Sequence, residues 1–396
     1  MKYLVAVLML ACAVYSAEVV ALGEKYKSAT KCQACHNHLV QQWKHSWHSK
    51  SHYKNDEYFQ ATVDYVSKKT HKSLNGVMVE CATCHNPRIS VINTDEAYEI
   101  DAVMGLDKGS KVDQAVDDKT ITEGINCVVC HNIDKIQDSL DSKHRGIDRI
   151  SWLKSGIMSG PFSDATSPYH ATEYRDFMNK NPNELCFVCH ANDHTVVKGE
   201  AFINMQAEYK NSQEKCVDCH MGTRRELYAS TLRIDHGKPK KREIRDHGFI
   251  GAHTAEMWQD ALHVSAKKLG NDLEVKLKND LPHNLPSGFG SREILVEVTY
   301  TKSGKALSNS TISLSRHYLN KYNNPTVAHT AEKFSTDVSV PAKGEKSLKV
   351  KLNKEANGAI ITVSYRLVND EVRGLLNLKE PVWSQKMPIA KVSINF

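Results

Sequence analysis

The chain repeats one short pattern five times, as Cys32-Gln33-Ala34-Cys35-His36, Cys81-Ala82-Thr83-Cys84-His85, Cys127-Val128-Val129-Cys130-His131, Cys186-Phe187-Val188-Cys189-His190 and Cys216-Val217-Asp218-Cys219-His220. These five segments, called motifs 1 to 5 below, use ten of the eleven cysteines in the sequence. Only Cys12 stands outside the pattern, so no pair of cysteines remains for a structural disulfide.

The pattern has the spacing that covalent haem attachment requires. Two thiols three positions apart lie on one helical turn and can each add to a vinyl group of haem, while the histidine that follows binds the iron. We therefore predict five covalent haem c groups. The predicted attachment cysteines are Cys32, Cys35, Cys81, Cys84, Cys127, Cys130, Cys186, Cys189, Cys216 and Cys219, and the predicted proximal ligands are His36, His85, His131, His190 and His220.

Zinc is the competing interpretation of a Cys-x-x-Cys pair, which forms half of a zinc ribbon. Ribbons use such halves in pairs, whereas this chain has an odd number of them. Zinc also requires no histidine directly after every second cysteine. The pattern therefore favours haem over zinc.

The N-terminus has the features of a secretory signal peptide. Lys2 supplies a positive charge, an apolar run follows at 4–13, and Ala17 provides a small residue at the cleavage point. Residues 1–17 are thus predicted to be removed, which makes the mature protein periplasmic. The run Leu10-Ala11-Cys12 also resembles a bacterial lipobox, so lipidation at Cys12, with membrane tethering or a cell-surface location, stays an open alternative.

Composition limits the class of protein further. The chain has 396 residues, of which 40% are hydrophobic, and a formal net charge of +6. Each haem would add two propionates that this charge omits, so we infer no nucleic-acid partner. No later stretch approaches the roughly 18 apolar residues of a membrane-spanning helix. The segments between the motifs are polar, and we expect haem faces to supply the apolar core that they lack.

Two domains follow the predicted signal peptide. Residues 18–267 are predicted to form a mainly α-helical and irregular pentahaem cytochrome domain. Residues 268–396 contain alternating stretches typical of strands, and we predict an all-β, sandwich-like domain without covalent haem. Truncation at Gly270 should then leave the haems in place. The predicted strands are 273–277, 294–298, 347–352, 360–365 and 389–394.

A second set of histidines decides what the irons can do. Fifteen of the twenty histidines lie outside the motifs. An iron with two histidine ligands transfers electrons, whereas one with an open position can bind a small molecule. His45, His48 and His52 share one face of a helical pattern, so one of them should reach an iron. The other candidates are His170, in Ser167-Pro168-Tyr169-His170; His247 and His253, in a glycine-containing turn; and His283, between Pro282 and Asn284, with His144 a weaker one.

The motif contexts resemble the multihaem cytochromes of the cytochrome c554 and hydroxylamine oxidoreductase superfamily. The resemblance rests on Trp43-x-x-Ser46-x-His48, Glu80-Cys81-Ala82-Thr83-Cys84-His85-Asn86-Pro87, Gly124-Ile125-Asn126-Cys127, Ser167-Pro168-x-His170 and Cys216-Val217-Asp218-Cys219-His220-Met221. The stretch Pro282-His283-Asn284-Leu285-Pro286-Ser287-Gly288, followed by Arg292, is similar to the start of a β domain in some bacterial members. The resemblance implies parallel and perpendicular haem pairs, with His48, His170, His247 and His253 as distal ligands.

This chain also departs from the superfamily. It has five attachment motifs where the octahaem oxidoreductases have eight, and it shows no match to their tyrosine cross-link. All five motifs end in histidine, whereas pentahaem nitrite reductases use lysine in one. These departures weaken an argument for catalysis by analogy.

The sequence therefore predicts a periplasmic cytochrome that transfers electrons in a respiratory chain. Its expected partners are a quinol-oxidising membrane cytochrome and a terminal reductase or surface acceptor. The alternative is an oxidoreductase acting on nitrogen or sulfur oxyanions, or on hydroxylamine, at one open haem; a subunit of an oligomer or filament is a third possibility. Because histidines are plentiful, we expect two histidines at every iron and name no catalytic residue.

Overall fold

The computed structural model describes residues 28–91, 93–137, 145–191, 193–195, 199, 201–232, 239–259, 261–336 and 338–396. The predicted signal peptide, the lipidation site at Cys12 and the candidate ligand His144 lie outside the described residues.

Short helices dominate the part of the chain that carries the motifs. The helices are α1 (Thr30–Lys44), α2 (Glu57–Thr70), α3 (Leu74–His85), α4 (Glu96–Val103), α5 (Lys111–Val116), α6 (Cys127–His131), α7 (Phe177–Lys180), α8 (Asn183–His190), α9 (Met205–Glu208), α10 (Cys216–His220) and α11 (Asp370–Leu376).

Side-chain caps explain where several of these helices begin. The Asp56 carboxylate accepts a hydrogen bond from the backbone N–H of Phe59 at the start of α2. Ser73, Asp95 and Ser110 cap α3, α4 and α5 in the same way. Each cap satisfies a backbone donor that has no partner within the helix.

Strands occur along most of the chain but become dense after residue 262. They are β1 (Ile133–Ile136), β2 (Ile150–Trp152), β3 (Ile157–Gly160), β4 (Ala171–Tyr174), β5 (Asp193–His194), β6 (Ala201–Ile203), β7 (Arg225–Tyr228), β8 (Lys241–Ile244), β9 (His263–Leu269), β10 (Asp272–Lys278), β11 (Glu293–Lys302), β12 (Lys305–Ser315), β13 (Tyr318–Leu319), β14 (Lys333–Phe334), β15 (Glu345–Lys351), β16 (Gly358–Arg366) and β17 (Met387–Asn395). The strands before β9 pair only two by two.

Two larger sheets make up the strand-rich C-terminal region. One has the order β15-β10-β9 and the other β12-β11-β16-β17, and all neighbouring strands are antiparallel. The five predicted strands lie within or overlap β10, β11, β15, β16 and β17. The first strand begins at His263, before the predicted boundary at residue 268, and β12 is an additional strand.

The largest hydrophobic cluster joins this region to the motif-bearing part of the chain. Inward residues of both sheets, such as Val275 and Val296, share it with Phe59, Val63 and Val66 of α2. Val63 is fully buried. Because burying a side chain of this size contributes about 1.5–3 kcal/mol, α2 and the sheets stabilise each other.

The other hydrophobic clusters are small, as the polar segments between the motifs lead one to expect. The next largest joins Val79 of α3 and Tyr98 of α4 to Val112 and Val116 of α5. Among the helices that the structure describes, none is both long and apolar enough to span a membrane.

Candidate haem-binding sites

Motifs 2 to 5 each form the final turn of a helix, and motif 1 ends at a kink within α1. The histidines of motifs 2 to 5 are the last residues of α3, α6, α8 and α10. In motif 1 the helix is interrupted at His36, where φ is −113° and ψ is 34°. The two cysteines of each motif therefore share a turn, while the histidine stands where the helix ends and its ring can turn towards a bound iron.

Hydrogen bonds at Nδ1 orient the motif imidazoles. The Nδ1–H groups of His36, His131 and His220 donate to the carbonyl oxygens of Ala229, Ser159 and Ile250 at 2.6, 2.8 and 2.7 Å. Nδ1 of His85 lies 3.2 Å from the Ser51 hydroxyl oxygen. Where Nδ1 carries the proton, Nε2 keeps its lone pair for a metal.

Three motif histidines face another histidine at a nearly constant distance. The ring centroids are 6.4 Å apart for His36 and His170, 6.3 Å for His190 and His48, and 6.4 Å for His131 and His247. A metal–imidazole bond is about 2 Å long, so two imidazoles on one metal place their ring centres roughly 6.3 Å apart. The three spacings therefore fit an iron between each pair.

The facing histidines are prepared for ligation in the same way as the motif histidines. Nδ1–H of His247 donates to the Arg245 carbonyl at 3.1 Å, and that of His170 to the Ala171 carbonyl at 3.2 Å. Burial lowers the pKa of His48 and of His247 to about 4. Both rings are therefore neutral near pH 7, the state that binds a metal.

A close backbone approach positions His48. Its carbonyl accepts the Ile125 N–H at 2.9 Å, directly before motif 3. Gly124 makes this approach possible, because its φ is +67° and a Cβ atom there would lie 2.5 Å from that carbonyl oxygen. The sequence Gly124-Ile125-Asn126 thus ties His48 to the neighbouring attachment site.

His283 lies beside motif 5. Its Nδ1–H donates to the Asn284 carbonyl at 2.9 Å. Burial lowers its pKa to about 4, and the charge of His220 adds to this effect. The charge of His220 thus acts on His283, but no ring-to-ring spacing defines the pair, and the role of His283 as a ligand stays a prediction.

His253 occupies a different environment from the other candidates. Its ring stacks on Trp47 with centroids 3.6 Å apart, and its buried Nδ1 has no hydrogen-bond partner. Burial, followed by the charge of Arg292, lowers its pKa to about 3. The described contacts do not pair it with a motif histidine, so its role as a ligand stays a prediction.

His85 differs from the three motif histidines that face another histidine. Among the described residues no histidine ring faces it; the ring of Phe59 stacks on it instead, with centroids 4.0 Å apart and planes inclined by 3°. Burial lowers the pKa of His85 to about 4. The charge of Asp193 acts to raise this pKa, and the charge of His329 lowers it further. The expectation of a second histidine at every iron is therefore not met here within the described residues.

An acidic and basic cluster that the sequence did not suggest lies near His85. Nε2 of His329 is 3.4 Å from the Asp193 carboxylate, and Arg145 is 3.1 Å from its other oxygen. Burial acts to raise the pKa of Asp193, but the hydrogen bond and charge of His329 and the charge of Arg145 outweigh it and hold the pKa below its usual value. Because His329 comes from the strand-rich region, no local motif could have indicated this cluster.

Cysteines of different motifs also lie against one another. Three thiol pairs cross between motifs: Cys32 with Cys127, Cys84 with Cys189, and Cys186 with Cys216. Hydrogen bonds within these pairs and burial raise the pKa of Cys186 and Cys189, and Cys130 of motif 3 adds to both. Motif 4 therefore borders motifs 2, 3 and 5, while motif 1 borders motif 3.

These features fit covalent haem at the motifs. Each motif offers two thiols on one turn and an imidazole, and three sites supply a second imidazole at the spacing of a shared metal. By contrast, no group of three or more His, Cys, Asp or Glu side chains in the described ranges could hold a metal ion without haem.

The comparisons with known proteins agree with this geometry. No family model and no curated protein matches the chain. Among solved structures, the chain is similar to a penta-haem cytochrome c552 from Thermochromatium tepidum, with a TM-score of 0.69 over 93% of this chain and 98% of that one. The sequences are 17% identical, so the likeness concerns the fold, which is that of a multihaem c-type cytochrome.

Proposed function

We propose that this chain is a pentahaem c-type cytochrome that transfers electrons, with motif 4 at the junction of its haems. The observation that carries the proposal is the set of facing imidazoles 6.3–6.4 Å apart. Haem iron, when bound, supplies reversible one-electron oxidation and reduction. Two neutral histidines on an iron leave no position for a substrate, which suits transfer better than catalysis.

In this function the polypeptide would hold the five haems in place and orient their histidine ligands. The motif cysteines would fix each porphyrin covalently, and the Nδ1 hydrogen bonds would fix the imidazole planes. Because cysteines of different motifs lie close together, the porphyrins attached there would be neighbours, in the order motif 1, motif 3, motif 4, with branches from motif 4 to motifs 2 and 5. Close spacing supports fast transfer, because electron tunnelling weakens steeply with distance.

The branched order can be tested by removing one haem at a time. A Cys186→Ala/Cys189→Ala variant lacks the attachment thiols of the junction, and a Cys216→Ala/Cys219→Ala variant lacks those of a branch end. Intact mass should show one haem fewer in each. After rapid photoreduction, redistribution of electrons among the remaining haems should slow strongly only in the junction variant. Equal rates in the two variants would contradict the branched order.

The wider setting of the proposal comes from the sequence. The predicted signal peptide supports a periplasmic location, and the motif contexts support membership of the cytochrome c554 and hydroxylamine oxidoreductase superfamily. Within a respiratory chain, the partners would be a quinol-oxidising membrane cytochrome and a terminal reductase or surface acceptor. Fractionation of cells that produce the chain tests the location, and a Cys12→Ser variant that stays membrane-bound would exclude lipidation at Cys12.

A second function is favoured by the surroundings of His85. Without a facing histidine among the described residues, a haem at motif 2 would have a position for a small molecule. Arg145 carries a positive charge and His329 a proton that can be donated, and both contact Asp193. Such groups suit an oxyanion of nitrogen or sulfur, or hydroxylamine, that accepts electrons and protons.

Spectroscopy and turnover separate the two functions. An open motif 2 haem should give a high-spin signal, bind carbon monoxide when reduced, and support reduction of nitrite or hydroxylamine that falls in His329→Ala. The control is His317→Ala, which removes another histidine paired with a carboxylate, Glu371, at 3.4 Å. A wholly low-spin protein would exclude the second function, and His144→Ala would then test whether that residue supplies the sixth ligand.

A further inference from the structure

Arg292 lies just before β11, at the edge of a pocket that connects the motif-bearing part of the chain with the strand-rich region. Its neighbours in the pocket include Glu208, Asn284, Ser287 and Arg316. Gly288, with a φ of +73°, leaves the guanidinium its space: a Cβ atom there would lie 3.0 Å from Nη1 of Arg292. The chain is thus shaped locally around this side chain.

The guanidinium has fewer partners than a partly buried charge requires. Nη1 donates to the Ser287 carbonyl, while Nε is buried and has no hydrogen-bond partner. Glu208, the carboxylate of the same pocket, accepts instead from the Ser287 hydroxyl at 2.6 Å and from the Asn284 N–H at 2.9 Å. The charge of Arg292 acts on Glu208, but none of the described ion pairs involves this arginine. A buried N–H donor without a partner is costly, so the free Nε points to a further acceptor, an anion, that completes the arrangement.

The position of Arg292 indicates which anion that is. Its charge acts on His190 of motif 4 and on His283 beside motif 5, and it adds to the effect of burial in lowering the pKa of both. The pocket itself borders both sites, because Tyr209, directly after Glu208, has its ring centroid 5.8 Å from that of Phe187 in motif 4 and 6.3 Å from that of His283. Every haem bound there would carry two propionates, and a guanidinium fork matches the geometry of a carboxylate.

We propose that Arg292 binds a propionate of the haem at motif 4 or motif 5 and thereby raises the reduction potential of that haem. The inference rests on the proposed binding of haem. A fixed positive charge beside a haem favours the reduced iron, which carries one positive charge fewer than the oxidised iron. If Arg292 were lost, the propionate would remain close to the iron without compensation, and the oxidised form would be favoured.

The test compares two arginines of the same pocket. Arg292→Gln removes the proposed propionate partner. Arg316→Gln is the matched control, because Arg316 donates to the Phe202 carbonyl and lies over the Phe334 ring, 5.6 Å from its centroid. Redox titration should show one haem of Arg292→Gln with a reduced-to-oxidised ratio about tenfold lower at a given potential, a shift of about 59 mV for one electron. Arg316→Gln should leave every haem unchanged.

The two candidate haems can be distinguished within the same experiment. A His283→Met variant alters the spectrum of the motif 5 haem alone, and so identifies that haem in the titration. If the shifted haem of Arg292→Gln carries that spectrum, the propionate belongs to motif 5; if it does not, it belongs to motif 4. Equal potentials in Arg292→Gln and Arg316→Gln, with five haems attached in both, would overturn the inference and leave the proposed function intact.

If Arg292→Gln folds poorly, a second variant and a structure still test the inference. Arg292→Lys keeps the charge but lacks the fork, so its affected haem should shift by clearly less than tenfold; a shift of tenfold or more with unchanged haem content would show that the charge does not set the potential and would overturn the inference. A structure of the haem-loaded wild-type protein should place a propionate oxygen about 2.7–3.2 Å from Nε of Arg292. A bond from Nε to any other group, with no propionate in reach, would overturn the inference directly.

Discussion

A facing histidine gives its site a ring that is already oriented before any ligand arrives. His170 and His247 show this at the scale of the residue, because each donates its Nδ1 proton to a nearby backbone carbonyl. With the proton held at Nδ1, Nε2 keeps its lone pair, and each ring centre lies 6.4 Å from that of a motif histidine.

Removal of a facing histidine should open one haem and leave the rest unchanged. We predict that His170→Ala and His247→Ala each convert one low-spin haem to a high-spin haem that binds carbon monoxide when reduced. The control is His45→Ala, because the exposed His45 ring only donates to the Gln41 carbonyl at 2.7 Å. Electronic absorption and electron paramagnetic resonance spectra measure the change in spin state. Identical spectra for all three variants would refute the assignment.

The sequence predicts the five proximal ligands from one short pattern, but it could select the histidines that face them only in part. His45, His48 and His52 share a face in a continuous helical pattern, yet α1 ends at Lys44 and a 3₁₀ turn runs over Trp47–Lys50. Only His48 reaches a motif histidine. Both nitrogens of His52 are engaged elsewhere, since Nδ1 accepts the Lys54 N–H and Nε2 lies 3.4 Å from the Val116 carbonyl. That outcome depends on tertiary contacts that a periodic pattern does not contain.

Asp56 should give the stability a measurable dependence on pH. Burial raises its pKa to about 6, although the backbone N–H groups of Phe59 and Tyr58 act against this. The usual value is 3.8, so the folded protein binds the proton more tightly, and stability should fall as the pH rises from about 4 to about 6. Asp56→Asn keeps the helix cap without the ionisation and should be more stable than the wild type above pH 6, by at most about 3 kcal/mol, with equality near pH 4.

Thermal unfolding of both proteins across this range provides the measurement. The difference in melting temperature between Asp56→Asn and the wild type should grow as the pH rises and then become constant. A wild type that gains stability relative to Asp56→Asn over the same interval would show the opposite sign, that of a carboxylate stabilised by a cation, and would contradict the prediction.

At the scale of elements, the motif helices depend on close contacts with loops distant in sequence. Gly146 lies against motif 2 with a φ of +54°, and a Cβ atom there would be 2.1 Å from the Thr83 carbonyl oxygen and 3.0 Å from Sγ of Cys84. Only glycine provides both the backbone conformation and the space. The last turn of α3, which carries the motif 2 thiols, therefore packs directly against the backbone of Gly146.

A pair of glycine substitutions tests this contact. Gly105 also has a positive φ, +74°, but a Cβ atom there would meet nothing within 4 Å. Gly105→Ala should thus cost only the backbone strain, about 1 kcal/mol. Gly146→Ala should lower the melting temperature clearly more and reduce haem content at motif 2, as measured by calorimetry and intact mass. Equal effects of the two substitutions would show that the contact does not support the attachment site.

The sequence predicts a strand where one face of that strand is buried, and gives no signal where both faces are exposed. Within β10, Leu273, Val275 and Leu277 are fully buried and alternate with less buried residues, which is the period-two signal of a strand. By contrast, β12 (Lys305–Ser315) is exposed along most of its length, and its polar residues form a strand through backbone pairing with β11. Pairing of this kind leaves no apolar pattern for sequence analysis to detect.

At the scale of the whole molecule, the strand-rich region and the motif-bearing part are closely connected. The core shared by α2 and the two sheets crosses the boundary predicted at residue 268, and His283 beside motif 5 lies beyond it. A run of strand patterns reveals where strands form but not which helix they pack against. The division into two separable domains remains a prediction. The shared core favours instead that the two regions depend on each other for folding.

Truncation after Leu262 should therefore damage haem binding, whereas the sequence predicted that loss of the C-terminal region would spare it. The truncated chain lacks His283, so the motif 5 haem should become high-spin. It also lacks the sheets that cover Phe59, Val63 and Val66, and each exposed side chain would cost about 1.5–3 kcal/mol. Intact mass measures the number of haems, spectroscopy their spin state, and sedimentation the aggregation of the truncated chain.

A His283→Ala variant of the full chain separates the two effects, because it should open the motif 5 haem without aggregation. A soluble truncated protein with five low-spin haems would contradict the prediction and show that the two regions fold independently, since neither the shared core nor His283 would then be needed by the attachment sites.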